Sequence, residues 1–230
     1  MLIAGLDVGQ AADYTVLMVV ERKPAIRRTE KRRWSYDLRY IHRWPLGTAY
    51  TQIAADLAEL YHRPPLTWSY LAVDFTGVGR PVVETIVAAR VPATIRPVLI
   101  TSGHEVTTKP YGFAGIMTAY HVPKKELVTT LQVVFQARLI RIPRSLPLSD
   151  RLVRELSDFR VKISRSANEK FGVWADGQHD DLVLALALAV WFGEATGCGS
   201  WTDASVQEPG ETLLASAPAG VLLDGGVRIE

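Results

Sequence analysis

Hydrophobic and polar residues follow two different periods along this chain, and their alternation predicts an α/β domain. Apolar runs at residues 2–7 and 14–21 are typical of strands, and a polar, glycine-containing turn joins them. A third strand is predicted at residues 36–44. Because these segments are close in sequence, the pattern favours an antiparallel meander at the start of the fold.

Helical and strand-like segments alternate over the rest of the body. Helices are predicted, from apolar residues recurring every three or four positions, at 49–61, 79–89, 123–138, 148–157 and 180–192. Strands are predicted at 71–74, 94–100 and 139–142, with a hairpin at 159–164 and 170–175. Residues 101–122 are rich in Gly, Thr, His and Tyr and are predicted to form the longest loop. The fold class that this order predicts is α/β, with a basic hairpin before the last helix.

Composition limits the classes of protein that this chain can represent. With 48% hydrophobic and 22% charged residues, the 230-residue chain can bury one substantial core. We expect neither a membrane span nor export, since no apolar run reaches about 18 residues and the first residues lack a basic signal segment; the cytoplasm is the expected compartment. Cys198 is the single cysteine, so a disulfide framework and cysteine-rich metal sites are excluded. Any metal must bind oxygen or histidine.

Charge divides the chain into two parts. Residues 194–230 hold six acidic residues and one basic residue, against 24 and 26 in the whole chain, so residues 1–193 carry a net charge of +7. We therefore predict a folded body at 1–193 and an acidic, Gly- and Pro-containing, flexible extension at 194–230. A basic body favours a polyanionic partner. The segment 22–43, with nine basic residues, is interpreted either as a charged hairpin edge or as a phosphate-contacting surface.

Aspartates stand at element ends, where burial is costly for a charged group. Asp7 ends the first strand, Asp74 ends the strand at 71–74, and Asp180 with Asp181 opens the last helix. Each alone is also compatible with a turn residue or a helix cap. Together, converging carboxylates would repel one another without a cation, and hard divalent ions prefer carboxylate oxygen. Asp13 starts the second strand and could face the same site.

Four motifs, in this order, carry a family resemblance: GLDVGQAADYT (5–15), AVDFTGVGRPVVE (72–84), VPKKELVTTLQVVFQARLIRIP (122–143) and QHDDLVLALALA (178–189). The body resembles the nuclease domain of the large subunit of tailed-phage terminases, a ribonuclease H-like nuclease. The resemblance implies a ribonuclease H-like α/β fold, with a central mixed sheet flanked by helices. The resemblance implies a divalent-metal-dependent endodeoxyribonuclease that cuts concatemeric viral DNA during packaging, in the cytoplasm of the infected or lysogenic host.

The resemblance also assigns roles to residues. It implies that Asp7, Asp74 and Asp181 are catalytic and hold two Mg²⁺ or Mn²⁺ ions for phosphodiester hydrolysis, with Asp13 as an auxiliary ligand. Asp180 could replace Asp181, since helix phasing does not separate the two. His179 is an auxiliary candidate that would orient water or a carboxylate. The candidate contacts to double-stranded DNA are Lys124, Lys125, Arg160, Lys162, Arg165 and Lys170.

The chain departs from the family in lacking the GxxxxGK[ST] phosphate loop of the ATPase motor. The chain is then either an excised domain or a separately encoded nuclease. We expect a separate ATPase motor or other packaging proteins, such as the terminase small subunit and the portal, as partners. A Holliday-junction resolvase-like nuclease and a non-catalytic DNA-binding packaging module are the alternatives. An actin-like ATPase is disfavoured, because that fold needs considerably more chain.

Overall fold

An eight-stranded mixed sheet is the centre of the computed structural model, which describes residues 1–9, 13–29, 32–112, 115–158, 160–163, 169–172, 181–197, 222–223 and 227–228. Its strands are β1 (Leu2–Asp7), β2 (Val16–Thr29), β3 (Arg32–Arg43), β4 (Tyr70–Asp74), β5 (Thr94–Thr101), β6 (Thr107–Tyr111), β7 (Met117–Pro123) and β8 (Ile140–Arg141). They are arranged in the order β6-β7-β5-β4-β1-β2-β3-β8. β1, β4, β5 and β7 are parallel, whereas β2 runs antiparallel to both of its neighbours. The carboxyl ends of the four parallel strands therefore share one edge.

Helices cover both faces of this sheet. They are α1 (Tyr50–Tyr61), α2 (Gly79–Ala88), α3 (Lys124–Gln136), α4 (Ser149–Asp158) and α5 (Asp181–Gly197). α1 and α2 pack on one face, and α3, α4 and α5 pack on the other. Two small antiparallel pairs complete the described chain: β9 (Arg160–Ile163) with β10 (Glu169–Gly172), and β11 (Leu222–Leu223) with β12 (Val227–Arg228). None of the helices described is long and apolar enough to cross a membrane.

Helix α5 lies directly against β1. Residues 182–192 of α5 are all buried, as expected for a helix that is apolar on every side. A Cβ atom at Gly5 would lie 2.0 Å from the Ala185 carbonyl oxygen, so only glycine permits this approach. A Cβ atom at Gly193 would lie 3.1 Å from Ile3 Cδ1. Successive positions along β1 thus meet progressively earlier residues of α5, and the two elements run in opposite directions.

Most predicted elements are confirmed, but the loop predicted at 101–122 is wrong. This segment contains β6 and β7, which pair antiparallel and extend the sheet beyond β5. β6 is exposed along almost its whole length, so it lacks the apolar alternation of a half-buried strand. β2 and β3 are also longer than predicted, because pairing continues beyond their apolar portions into the charged segment.

The basic segment 22–43 has a structural explanation where its side chains are described. Arg22 is buried, donates to the Gly193 carbonyl at 2.8 Å, and lies over the Trp34 ring at 4.3 Å. Arg39 donates to Glu21 Oε2 at 2.7 Å, and Lys23 donates to Asp37 Oδ2 at 3.1 Å. These bases serve the hairpin and its contact with α5.

Helix α5 continues beyond residue 193, where we predict that the folded body ends. Tyr36 donates its hydroxyl to Glu194 Oε1 at 2.9 Å, and Arg22 donates to the Thr196 hydroxyl at 3.2 Å. The last turn of α5 is therefore attached to the sheet by hydrogen bonds. The division of the chain into a body and an extension stays a prediction.

Candidate active site at the carboxyl edge of the sheet

Asp7 and Asp74 lie at the ends of neighbouring parallel strands and on the same face of the sheet. β1 and β4 are paired up to Leu6 and Val73, one residue before each aspartate. Alternation along β1 puts Ile3 on the face covered by α5, and Asp7 has the same parity; on β4, Ala72 and Asp74 are related in the same way. Both residues are buried, at 7% and 9% exposure. The sheet register therefore brings two carboxylates together under the start of α5.

Asp181 reaches the same edge from above. It is the first residue of α5 and is 6% exposed. It precedes Ala185, which contacts Gly5, by four residues, or about 6 Å along the helix axis. Asp7 follows Gly5 by about 6.6 Å along the strand. Because α5 and β1 run in opposite directions, both displacements lead toward the same edge of the sheet.

Thr76 holds the Asp74 carboxylate. Its backbone N–H and its hydroxyl both donate to Asp74 Oδ1, at 2.8 and 2.6 Å, and the Ile100 N–H donates to the Thr76 hydroxyl oxygen at 2.9 Å. A Cβ atom at Gly79 would lie 2.4 Å from the Asp74 carbonyl oxygen, so the turn after β4 is tightly closed. In the sequence, the signal for this role of Thr76 is a threonine two residues after an aspartate at a strand end.

Electrostatics around Asp74 connect it to Lys124. Burial raises the pKa of the Asp74 carboxyl above its ordinary value of 3.8, while the two Thr76 hydrogen bonds and the Lys124 charge act in the opposite direction. Lys124 begins α3 immediately after β7, whose last residue, Pro123, pairs with Thr101 of β5. Lys125 follows and is exposed. The predicted lysine pair thus lies at the same edge as the carboxylates.

The other predicted residues occupy different positions. Asp13 is exposed in the turn between β1 and β2, and its backbone packs against Gly9, where a Cβ atom would lie 2.2 Å from the Asp13 carbonyl oxygen. Arg160 and Lys162 lie on β9 and Lys170 on β10, which confirms the predicted hairpin. The remaining predicted residues, Arg165, His179 and Asp180, lie outside the described residues.

The donor set fits a hard divalent cation in kind. Asp7, Asp74 and Asp181 offer only carboxylate oxygens, and burial of three such groups favours a cationic ligand. Among the residues that the structure describes, no three His, Cys, Asp or Glu side chains are already gathered as a group that could hold an ion. The fit therefore depends on the chemistry of the donors and on their shared edge.

One further cation stands beside this edge. Asp7 is paired with Val16 of β2, and Val16 is paired with Arg43 of β3, so the three residues form a row across the sheet. The Arg43 guanidinium lies 4.1 Å from the centre of the Tyr14 ring, a cation–π contact. Arg43 and Lys124 thus lie on opposite sides of the aspartates. The cluster is acidic at its centre and basic at its flanks.

Comparisons with known proteins found similar folds among solved structures only. No protein-family model matches the chain, and no curated protein matches it. Among solved structures, the chain is similar to the large terminase nuclease of thermophilic phage G20c with bound magnesium, with 21% identity, a TM-score of 0.57, and coverage of 83% of this chain and 80% of that one.

Two other solved structures are similar. The nuclease domain of the Thermus phage P74-26 large terminase has 19% identity and a TM-score of 0.50, with 82% of this chain and 77% of that chain covered. The HK97 bacteriophage large terminase has 15% identity and a TM-score of 0.51, with 83% of this chain but 39% of that chain covered. The predicted ribonuclease H-like class is confirmed, and the chain has the fold of large terminase nuclease domains.

Proposed function

We propose that this chain is a divalent-metal-dependent DNA endonuclease that cuts viral DNA during genome packaging. The observation that carries the proposal is that Asp7, Asp74 and Asp181 all lie at one edge of a sheet that has the fold of large terminase nuclease domains. The G20c nuclease to which it is similar binds magnesium and, in a second structure, cobalt. Together, the donor chemistry and the fold favour phosphodiester hydrolysis over a purely binding role.

The chain's own residues have distinct roles in this proposal. Asp7, Asp74 and Asp181 would hold two Mg²⁺ or Mn²⁺ ions, with Asp13, Asp180 and His179 as auxiliary candidates. When bound, these ions supply the Lewis acidity that phosphodiester hydrolysis requires. Thr76 fixes the orientation of the Asp74 carboxylate. Lys124 and Lys125 lie where they can contact phosphates next to the acidic cluster.

The hairpin β9–β10 supplies a second proposed contact with double-stranded DNA. Lys162 of β9 and Lys170 of β10 are paired in the register of this hairpin, and both are proposed to contact phosphates. Arg160 and Arg165 would extend the same contact. Binding through such contacts weakens steeply with salt.

Translocation of DNA requires an ATPase, and these 230 residues contain no GxxxxGK[ST] motif. We therefore propose that an ATPase motor, together with packaging proteins such as a terminase small subunit and portal, brings DNA to this site. The proposed location is the cytoplasm of the bacterial host. The chain covers less than half of the HK97 large terminase, which is consistent with work shared among domains or subunits.

Cleavage of supercoiled plasmid tests the proposed function. The purified chain is incubated with EDTA, Mg²⁺ or Mn²⁺, beside Asp7→Asn and Asp181→Asn variants and an exposed-site control, Glu59→Gln. We expect cleavage only with metal, lost in both aspartate variants and kept in the control. Absence of cleavage by the folded wild-type chain with either metal would contradict the proposal. Faster cleavage of a four-way junction than of linear duplex would favour the resolvase-like alternative.

A further inference from the structure

Arg43, the last residue of β3, is a cation that the proposed contacts with DNA do not include. Its guanidinium lies 4.1 Å from the centre of the Tyr14 ring. By contrast, Arg39, four residues earlier on the same strand, donates to Glu21 Oε2 at 2.7 Å. Within the described ranges of the chain, no hydrogen bond or ion pair engages the Arg43 guanidinium. The two arginines of β3 therefore differ: one is matched inside the hairpin, and the other keeps its donors available.

The sheet register puts Arg43 on the face that carries the aspartates. Arg43 is paired with Val16, and Val16 is paired with Asp7. Residues directly opposite each other in antiparallel strands share a face, and Val16 belongs to the core under α5. Ile41, two residues before Arg43, belongs to the same core. The backbone of Arg43 thus lies two strand spacings, or roughly 10 Å, from that of Asp7, on the same face.

Tyr14 shows where the guanidinium lies along the strand direction. It stands two residues before the start of β2, so its ring is on the same face and about 6.6 Å beyond the row that contains Asp7. The Trp44 N–H donates to the Thr15 carbonyl at 3.0 Å, which continues the β2–β3 pairing to this point. Because the Arg43 guanidinium lies over this ring, it is located at the carboxyl edge of the sheet.

The Arg43–Tyr14 pair has the chemistry of a phosphate site. The five N–H donors of a guanidinium lie in its plane and match two phosphate oxygens at once. Contact with an aromatic ring uses the face of the group and leaves those in-plane donors free. It also limits the motion of the side chain before a ligand binds, which reduces the entropy lost on binding. A phosphate is therefore a better match than a neutral ligand.

We infer that Arg43, held by Tyr14, binds a backbone phosphate of double-stranded DNA beside the acidic cluster. The inference rests on the proposed function for the identity of the ligand. Successive nucleotides rise about 3.4 Å along the duplex axis, so a separation of roughly 10 Å puts this phosphate within about three nucleotides of the one at Asp7. Lys124 follows the end of β7, on the other side of the aspartates. The bound strand thus crosses the ends of the parallel strands, between Lys124 and Arg43.

Four variants of the full chain test the contact. Arg43→Gln removes the charge, and Arg43→Lys keeps the charge without the planar fork. Tyr14→Leu removes the ring under the guanidinium. Arg90→Gln is the matched control, because this exposed arginine precedes β5 and so lies at the opposite edge of the sheet. Binding of a fluorescent linear duplex is measured by anisotropy in EDTA at several salt concentrations, and thermal unfolding is measured for each variant.

We expect Arg43→Gln to weaken duplex binding by about tenfold at low salt and to lower the slope of log affinity against log salt by about one. Arg43→Lys should keep the wild-type slope and recover only part of the affinity, since the bidentate contact is lost. Tyr14→Leu should also keep the slope while binding more weakly, because the charge remains but is no longer held. Arg90→Gln should stay within about twofold of the wild type.

Three results would overturn the inference. The first is a wild-type salt slope in Arg43→Gln, whatever its melting temperature, since the role of the residue would then be structural. The second is an equal fall in slope in Arg90→Gln, since only net charge would then matter. The third is a wild-type chain that does not bind the duplex at low salt. A wild-type chain that binds the duplex but cleaves no plasmid with either metal contradicts the proposed nuclease instead, and the salt slope still decides the role of Arg43.

Discussion

Buried charged side chains lie at both ends of α5, but their surroundings differ. At the carboxyl-terminal end, Arg22 is matched to a carbonyl and a hydroxyl, and Tyr36 is matched to Glu194. At the amino-terminal end, the buried Asp181 lies at the edge of the sheet that also holds the buried Asp7 and Asp74. The first arrangement balances donors with acceptors and stabilises the fold. The second places three buried acids at one edge of the sheet, where a bound cation would offset their mutual repulsion. The comparison assigns packing to one end of α5 and supports the proposed chemistry at the other.

The largest expected effect separates the two ends directly. Asp181→Asn should reduce metal-dependent DNA cleavage by about 10³-fold or more, since a proposed metal ligand is lost. Arg22→Met should instead lower the stability of the chain, with cleavage retained below the melting temperature. Plasmid cleavage and thermal unfolding of both variants measure this. A parallel loss of both properties in both variants would mean that the ends are not functionally distinct.

The close contact between Gly5 of β1 and Ala185 of α5 gives the second largest expected effect, on the free energy of unfolding. Gly5→Ala puts a methyl group 2.0 Å from the Ala185 carbonyl oxygen, so α5 must move away from β1. We expect a loss of about 3 kcal/mol in the free energy of unfolding. Gly103→Ala is the control, because its Cβ atom would meet only the Thr101 hydroxyl, at 3.5 Å. Urea denaturation measures both, and equal stability of the two variants would contradict the close packing.

The basic flank of the acidic end gives a smaller effect. Lys124→Met removes one cation at the edge where Asp74 lies, so duplex binding should weaken by about tenfold and the slope of log affinity against log salt should fall by about one. Lys23→Met, on the β2–β3 hairpin, is the control. Fluorescence anisotropy at several salt concentrations measures the slope. An unchanged slope for Lys124→Met would remove it from the DNA contact.

The smallest effect concerns pH. Burial raises the pKa of Asp74 in the folded chain, so the protonated carboxyl is favoured by folding and the ionised one is not. The contribution of the Asp74 carboxyl to the stability of the wild type is therefore fully present below its ordinary pKa of 3.8. This contribution is lost as the pH rises through the higher pKa that the carboxyl has in the folded chain. In EDTA, Asp74→Asn should match the wild type near the acid limit and become relatively more stable toward neutral pH. Chemical denaturation across that range measures this, and a constant difference would contradict it.

The sequence predicts much of this site because its residues lie at element ends. Asp7 and Asp74 each end a short apolar run, so a charged residue directly after buried positions identifies them in the sequence. Gly5 lies in the middle of a strand, and nothing local in the sequence reveals that α5 touches it. The sequence pattern does not predict β6, because the polar residues of this strand lie at an exposed edge of the sheet. Local hydrophobic periodicity does not predict features that depend on packing between residues far apart in the sequence.

Thr76 has a consequence for how Asp74 can bind anything. The Ile100 amide donates to the Thr76 hydroxyl oxygen, so the hydroxyl hydrogen is directed to Asp74. Oδ1 of Asp74 then receives two donors, from the hydroxyl and the Thr76 amide, which occupy its lone pairs. Oδ2 is the oxygen through which a cation or a proton would bind. The denticity of this carboxylate is thus set at one, by a turn and a neighbouring strand.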